Sequence, residues 1–173
     1  VRYSEGLYKN TFIGRTFIMP GQAERKKSVK YKLVPQELEI RDKKVMIMDD
    51  SIVRGNTSRE IVRMLKDFGA KEVYFAVACP PVKSPCFYGV DMPTKDELIA
   101  GNMNEAEIEN YLEVDALLYQ KIGDLVEAVT RKGDHHIDTP CIACLDGNYI
   151  ANDIDDAKIT QMEAMRVNDR NGK

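Results

Sequence analysis

Apolar and polar positions along this chain alternate between two rhythms. The run 43–48, KKVMIM, is short, apolar and bounded by charge, the pattern of a buried parallel strand. In 58–70, SREIVRMLKDFGA, Ile61, Leu65 and Phe68 recur at helical spacing. Gly69 supplies the C-terminal stop, because glycine enters the left-handed region without steric cost. The run 71–80, KEVYFAVACP, predicts a second strand, ended by Pro80-Pro81. Strand, helix and strand over about 35 residues make one right-handed βαβ unit. Beyond it the pattern predicts a helix over 104–114, a strand over 116–120, a helix over 122–133 ending at Gly133, and a terminal helix over 155–166. The stretch 134–150 reads as irregular. No internal repeat and no low-complexity linker interrupts the alternation. The expected fold is α/β, with a mainly parallel sheet flanked by helices.

Composition narrows the class. At 173 residues the chain is long enough for one domain with a core. No apolar run approaches the roughly 18 residues that would suggest a membrane span. No signal peptide is visible, and four cysteines beside eight methionines fit a reducing compartment, so the expectation is a cytoplasmic protein without structural disulfides. The chain opens on Val1 in mid-pattern, which reads as a fragment or a processed product. The net charge of −3 is unevenly spread. Residues 1–32 hold eight basic side chains (Arg2, Lys9, Arg15, Arg25, Lys26, Lys27, Lys30, Lys32) against Glu5 and Glu24. Such a segment on an acidic body suggests a local anionic partner; the plainer reading is a solvated surface. Nucleic acid is not expected, since no aromatic residues interleave with a broad basic face.

The candidate chemistry lies where the first strand ends. Asp49 and Asp50 sit at the carboxyl end of a predicted parallel strand, the edge at which such sheets bind ligands. The loop 51–57, SIVRGNT, then leads into a helix N-terminus, where unpaired N–H groups and the helix dipole favour an anion. Gly55 permits tight wrapping around a phosphate, and Ser51, Asn56, Thr57 and Ser58 add short polar side chains. The two carboxylates can accept from sugar hydroxyls or hold a hard cation such as Mg²⁺. A sugar phosphate is the ligand this implies. The competing reading is ordinary capping: Thr57 with Glu60 three residues on has the form of a capping box. The stretch is neither a P-loop nor a Gly-x-Gly-x-x-Gly fingerprint.

VMIMDDSIVRGNTS closely resembles the phosphoribosylpyrophosphate (PRPP) motif of type I phosphoribosyltransferases. Its form Asp-Asp-Ser-Ile-Val-Arg-Gly, with Arg54, is similar to the glutamine PRPP amidotransferase branch of that family. GLYKNTFIGRTFIMPGQAERKKSVKYKL (6–33) resembles the flexible catalytic loop of that branch, and YGVDMPTKDELIA (88–100) is a further shared stretch. The resemblance covers roughly residues 3–150. It implies the type I phosphoribosyltransferase fold and the reaction of PRPP, glutamine and water to 5-phosphoribosylamine, glutamate and pyrophosphate, the first committed step of purine synthesis. It further implies a glutaminase domain that this chain lacks, ammonia passing between the two centres, inhibition by AMP and GMP, and a homotetramer. The expected organisation is a transferase portion over 1–133, with its flexible loop at about 8–32, followed by a Cys-containing segment and helix over 134–173.

By the same resemblance, Asp49 and Asp50 bind the ribose hydroxyls and Mg²⁺. Ser51, Ile52, Val53, Arg54, Gly55, Asn56, Thr57 and Ser58 cradle the 5-phosphate. Lys32 approaches the pyrophosphate, while Arg15 and Ile18 order the loop and line the ammonia path. The basic first segment then becomes a cationic flap over a diphosphate leaving group. Phe12 departs from the tyrosine common at that position, so a role needing the hydroxyl is not carried over.

Cys141 and Cys144 form a lone Cys-x-x-Cys, beside His135 and His136, which by itself leaves metal, redox and coincidence open. The resemblance adds a reading: one branch holds a structural 4Fe–4S cluster, and Cys86, Cys141 and Cys144 match three of its ligands, the fourth lying upstream of residue 1. The loop and VDMPTKDELIA look more like the cluster-free branch, so the cluster stays open. Cys79, on the apolar strand, reads as a core residue. Two other functions fit the same fold: a PRPP-sensing transcription regulator, which would add a DNA-binding module and lose the loop, and a salvage transferase, which would carry a hood over a purine or pyrimidine base.

Overall fold

The computed structural model describes residues 2–10, 33–130, 137–150, 154 and 156–171. Strand β1 (Leu7–Lys9) pairs antiparallel with β2 (Leu33–Pro35), in the register Leu7 opposite Pro35. A one-turn helix α1 (Glu37–Ile40) follows and buries Ile40 completely. Then come β3 (Lys44–Asp49), α2 (Asn56–Asp67) and β4 (Glu72–Val77). A 3-10 turn (Lys95–Glu97), α3 (Ile99–Asn102) and α4 (Glu105–Leu112) lead into β5 (Ala116–Tyr119). The chain continues with α5 (Ile122–Thr130), α6 (Ala143–Asp146) and α7 (Asp156–Asn171).

The three later strands form one parallel sheet in the order β3-β4-β5. The α/β reading therefore holds. Asp49, Val77 and Tyr119 lie in one row across its carboxyl end. Alternation along β4 sends Val73, Phe75 and Val77 to the face that α2 covers. Helix α2 meets it with Ile61, Val62, Met64 and Leu65, all buried at the helical period. Val62 and Leu65, with Val73, Phe75, Val77, Ile52, Ile99, Ile108 and Leu112, make the main core. Each fully buried aliphatic or Phe contributes about 1.5–3 kcal/mol, and Phe75, Val62, Val73, Ile108 and Leu112 are all 0% exposed. A second, smaller core of Val82, Met92, Leu98 and Leu145 joins the chain after β4 to α6.

The structure departs from the expected elements in several ways. The β1–β2 pair and α1 were not foreseen. Helix α2 starts at Asn56, two residues before the expected point, because Gly55 in the left-handed region (φ 75°) serves as its N-cap. The stretch 134–150, read as irregular, contains the turn of helix α6, closed by Gly147 at φ 82°. The expected end of α5 at Gly133 lies outside the described residues, and α7 runs to Asn171, beyond the expected 166.

Candidate functional site

The site is built around the turn from β3 into α2. Asp49 ends the strand half-buried, while Asp50 is exposed. The backbone here is locked to the neighbouring strand: Ala78 N–H donates to the Asp49 carbonyl (3.0 Å) and Cys79 N–H to that of Asp50 (2.9 Å). The carboxylates are also ordered. Asp50 N–H donates to Asp49 Oδ1 at 3.0 Å, and the Ser51 hydroxyl donates to Asp50 Oδ1 at 2.9 Å. Burial pushes the Asp49 carboxyl up, and the Asp50 charge adds to this, against the opposing N–H bond. Two carboxylates at the carboxyl end of a parallel strand are a suitable acceptor pair for hydroxyls or a hard cation.

The loop divides its side chains between core and crevice. Ile52 is buried in the main core, so this residue anchors the loop from below and presents only its backbone to a ligand. Val53 and Arg54 are half-buried, and Gly55 and Ser58 are buried. Asn56 and Thr57 stand exposed in the first turn of α2. The Thr57–Glu60 capping box is not formed: the N-cap is Gly55, whose lack of a side chain leaves no cap acceptor for the first-turn N–H groups. Such an N-terminus is open to an anion.

A second segment grips this loop from outside, and sequence reasoning missed it. Ile99 N–H donates to the Val53 carbonyl at 2.9 Å. Arg54 donates through Nε (3.1 Å) and Nη2 (2.9 Å) to Glu97 Oε1. A Cβ on Gly55 would lie 2.6 Å from Ile99 Cδ1 and 3.2 Å from Tyr111 Cε1, so this position also needs glycine for space. Tyr111 donates to Asn56 Oδ1 at 3.0 Å, and the Arg59 guanidinium lies 4.6 Å above the Tyr111 ring. Glu113 receives both Arg59 and Arg63 at 2.8 Å, which holds its carboxyl down at about 2. The only sequence signal among these was Thr94 with Glu97, a capping-box pattern that foretells a turn, not a tether.

The thiols gather elsewhere. Cys86 and Cys144 are half-buried, Cys141 is exposed, and Cys79 lies half-buried at the edge of the second core. Lys83 and Ser84 N–H groups both donate to the Cys144 carbonyl (2.9 and 3.0 Å), and Tyr149 donates to the Pro85 carbonyl (2.8 Å). The stretch 83–88 is thus stitched to 142–149. Burial pushes the Cys144 thiol up, with Cys79 and Cys86 adding to it. Among the described residues no group of three His, Cys, Asp or Glu side chains is arranged to hold a metal ion, while Cys144 lies near enough to Cys79, Cys86 and Cys141 to feel their charges. Arg15, Ile18, Lys32, His135 and His136 lie outside the described residues.

The fold and this loop define a class, and the comparisons agree with it. Residues 12–92 match the family model described as the phosphoribosyl transferase domain. Over these residues the chain resembles that family. Within it, the chain is 48% identical over 166 residues to the amidophosphoribosyltransferase of Pseudomonas aeruginosa, covering 96% of this chain and 33% of that protein. It is 46% identical over 167 residues to that of Methanothermobacter thermautotrophicus, covering 96% and 34%. Among solved structures, glutamine PRPP amidotransferase from B. subtilis, complexed with ADP and GMP, superposes with a TM-score of 0.72 at 42% identity, over 87% of this chain and 33% of that one. The chain therefore spans about a third of the length of the curated relatives it matches. No helix among the described residues is long and apolar enough to cross a membrane.

Proposed function

We propose that the whole protein is an amidophosphoribosyltransferase, which joins ammonia drawn from glutamine to PRPP. The C1–O bond to pyrophosphate breaks, a C1–N bond forms, and the amine sheds a proton, leaving 5-phosphoribosylamine. The observation that carries this is the Asp49–Asp50 pair leading through Gly55 into an N-terminus of α2 that has no side-chain cap. In this reading the N–H groups and short side chains of 51–58 hold the 5-phosphate. Asp49 and Asp50 accept from the ribose hydroxyls and hold Mg²⁺. The ion supplies charge neutralisation for the departing pyrophosphate. By resemblance, Lys32 acts on the pyrophosphate side, while Arg15 and Ile18 order the loop and line the ammonia path.

The finer assignments belong to the same proposal: a transferase portion over 1–133 and a Cys-containing segment over 134–173, a glutaminase domain in the whole protein, a cytoplasmic homotetramer, and inhibition by AMP and GMP. The B. subtilis relative crystallised with ADP and GMP supports the last. A 4Fe–4S cluster on Cys86, Cys141 and Cys144 has the sequence match in its favour, and iron and sulfide analysis of the purified protein tests it. The reading as a whole is tested by titrating PRPP with Mg²⁺ into the full-length protein and into Asp49→Asn plus Asp50→Asn. The double variant should bind more weakly, by roughly 1–3 kcal/mol per lost charge-assisted bond. Equal affinity in the two removes the assignment.

A further inference from the structure

We propose that Arg54 and Glu97 form a strut that sets the shape of the phosphate loop, and that Arg54 is a positioning residue and not a phosphate ligand. The inference rests on the PRPP reading above and assigns roles within that site. Both Nε and Nη2 of Arg54 are spent on Glu97 Oε1, at 3.1 and 2.9 Å. The remaining oxygen, Oε2, accepts from Thr94 N–H (3.1 Å) and from the Thr94 hydroxyl (3.3 Å). Glu97 is therefore fixed in its own turn before it meets the arginine, as a strut requires.

The strut acts where the loop most needs holding. Arg54 precedes Gly55, whose left-handed backbone starts α2. On the other side of Arg54, the Val53 carbonyl takes the N–H of Ile99, two residues after Glu97. Three successive loop residues thus lean on one short segment: Val53 by its carbonyl, Arg54 by its guanidinium, Gly55 by contact with Ile99. The segment is itself tied down, since Glu163 of α7 accepts from Lys95 N–H at 2.6 Å. An arginine in a phosphate loop is ordinarily read as a ligand, because guanidinium suits phosphate. Here it is directed to Glu97, and the cradle is left to backbone N–H groups, the hydroxyls and Asn56. A strut raises affinity by pre-organising the loop before the ligand arrives.

The two roles separate in a double-mutant cycle on the full-length protein, reading KM for PRPP and kcat. For a strut, Arg54→Ala, Glu97→Ala and the double variant should each raise KM by a similar factor, roughly three- to tenfold for a half-exposed ion pair, with kcat changed less. The exchange Arg54→Glu with Glu97→Arg should recover part of the loss. For a ligand, Arg54→Ala would lose far more than Glu97→Ala, and the exchanged pair would stay as weak as Arg54→Glu alone; either result overturns the proposal. Hydrogen exchange without ligand supplies a readout independent of substrate. The Ile99 amide, bonded to Val53, should exchange faster in Glu97→Ala than in wild type, and unchanged protection there also overturns the strut. Should wild type fail to bind PRPP while that amide responds, the functional reading falls and the strut stands.

Discussion

Tyr111 of α4 donates its phenol proton to Oδ1 of Asn56, the first residue of α2, across 3.0 Å. The bond joins the start of the phosphate-loop helix to a helix 55 residues away in sequence. It orients Asn56, a side chain that would otherwise rotate freely at an exposed N-terminus. Tyr111→Phe keeps the ring and its contact with Arg59 but removes the donor. It should cost about 0.5–1 kcal/mol of stability and weaken PRPP binding slightly. Chemical denaturation with and without ligand measures both; identical curves would mean that the bond contributes nothing in solution.

Gly55→Ala should be among the most damaging single methyl additions in the chain. The residue sits at φ 75°, and the new Cβ would meet Ile99 Cδ1 at 2.6 Å. Backbone strain and overpacking together amount to roughly 1–3 kcal/mol. Pairing it with Ile99→Val removes the offending methyl and should recover the steric part only. A full recovery in the double variant, by urea denaturation, would show that backbone strain is negligible; no recovery would show that the clash is relieved in another way.

The raised Asp49 carboxyl gives a pH signature. A carboxyl shifted up by burial is protonated at a higher pH than an ordinary aspartate, so its acceptor function is lost earlier as pH falls. Mg²⁺-dependent PRPP affinity should therefore begin to weaken above the ordinary aspartate value of about 3.9. Calorimetry over about pH 4 to 7 locates the fall, and affinity that stays flat down to the bottom of that range would contradict the shift.

Glu113 makes the opposite case. Its two arginine bonds lower the carboxyl to about 2 from 4.5. Stability from this arrangement is fully present above the unfolded value of 4.5 and is lost as pH falls towards about 2. Wild type should then melt above Glu113→Gln at neutral pH, and the gap should narrow through that window. A gap that stays constant down to the lower value would mean the arginines do not hold the charge.

The alternation of periods and the charged borders determined the βαβ unit from sequence alone, because β3, α2 and β4 are local elements with their own apolar patterns. The same was true of the two aspartates at a strand end. The β1–β2 pair escaped notice because each strand is three residues long, too short for a period, and the pairing joins segments more than 20 residues apart. Thr57 and Glu60 carried a cap signal that the fold did not use, since Gly55, held against Ile99 and Tyr111, started the helix two residues earlier than expected. Glu97 shows the division most sharply. One of its oxygens accepts from Thr94, three residues away and within a single turn. The other oxygen's partner, Arg54, lies 43 residues earlier, and only the packing of α3 and α4 beside the loop brought the two charges together. A one-dimensional pattern records what neighbours along the chain can do, whereas an ion pair between distant segments depends on where the core sets their backbones.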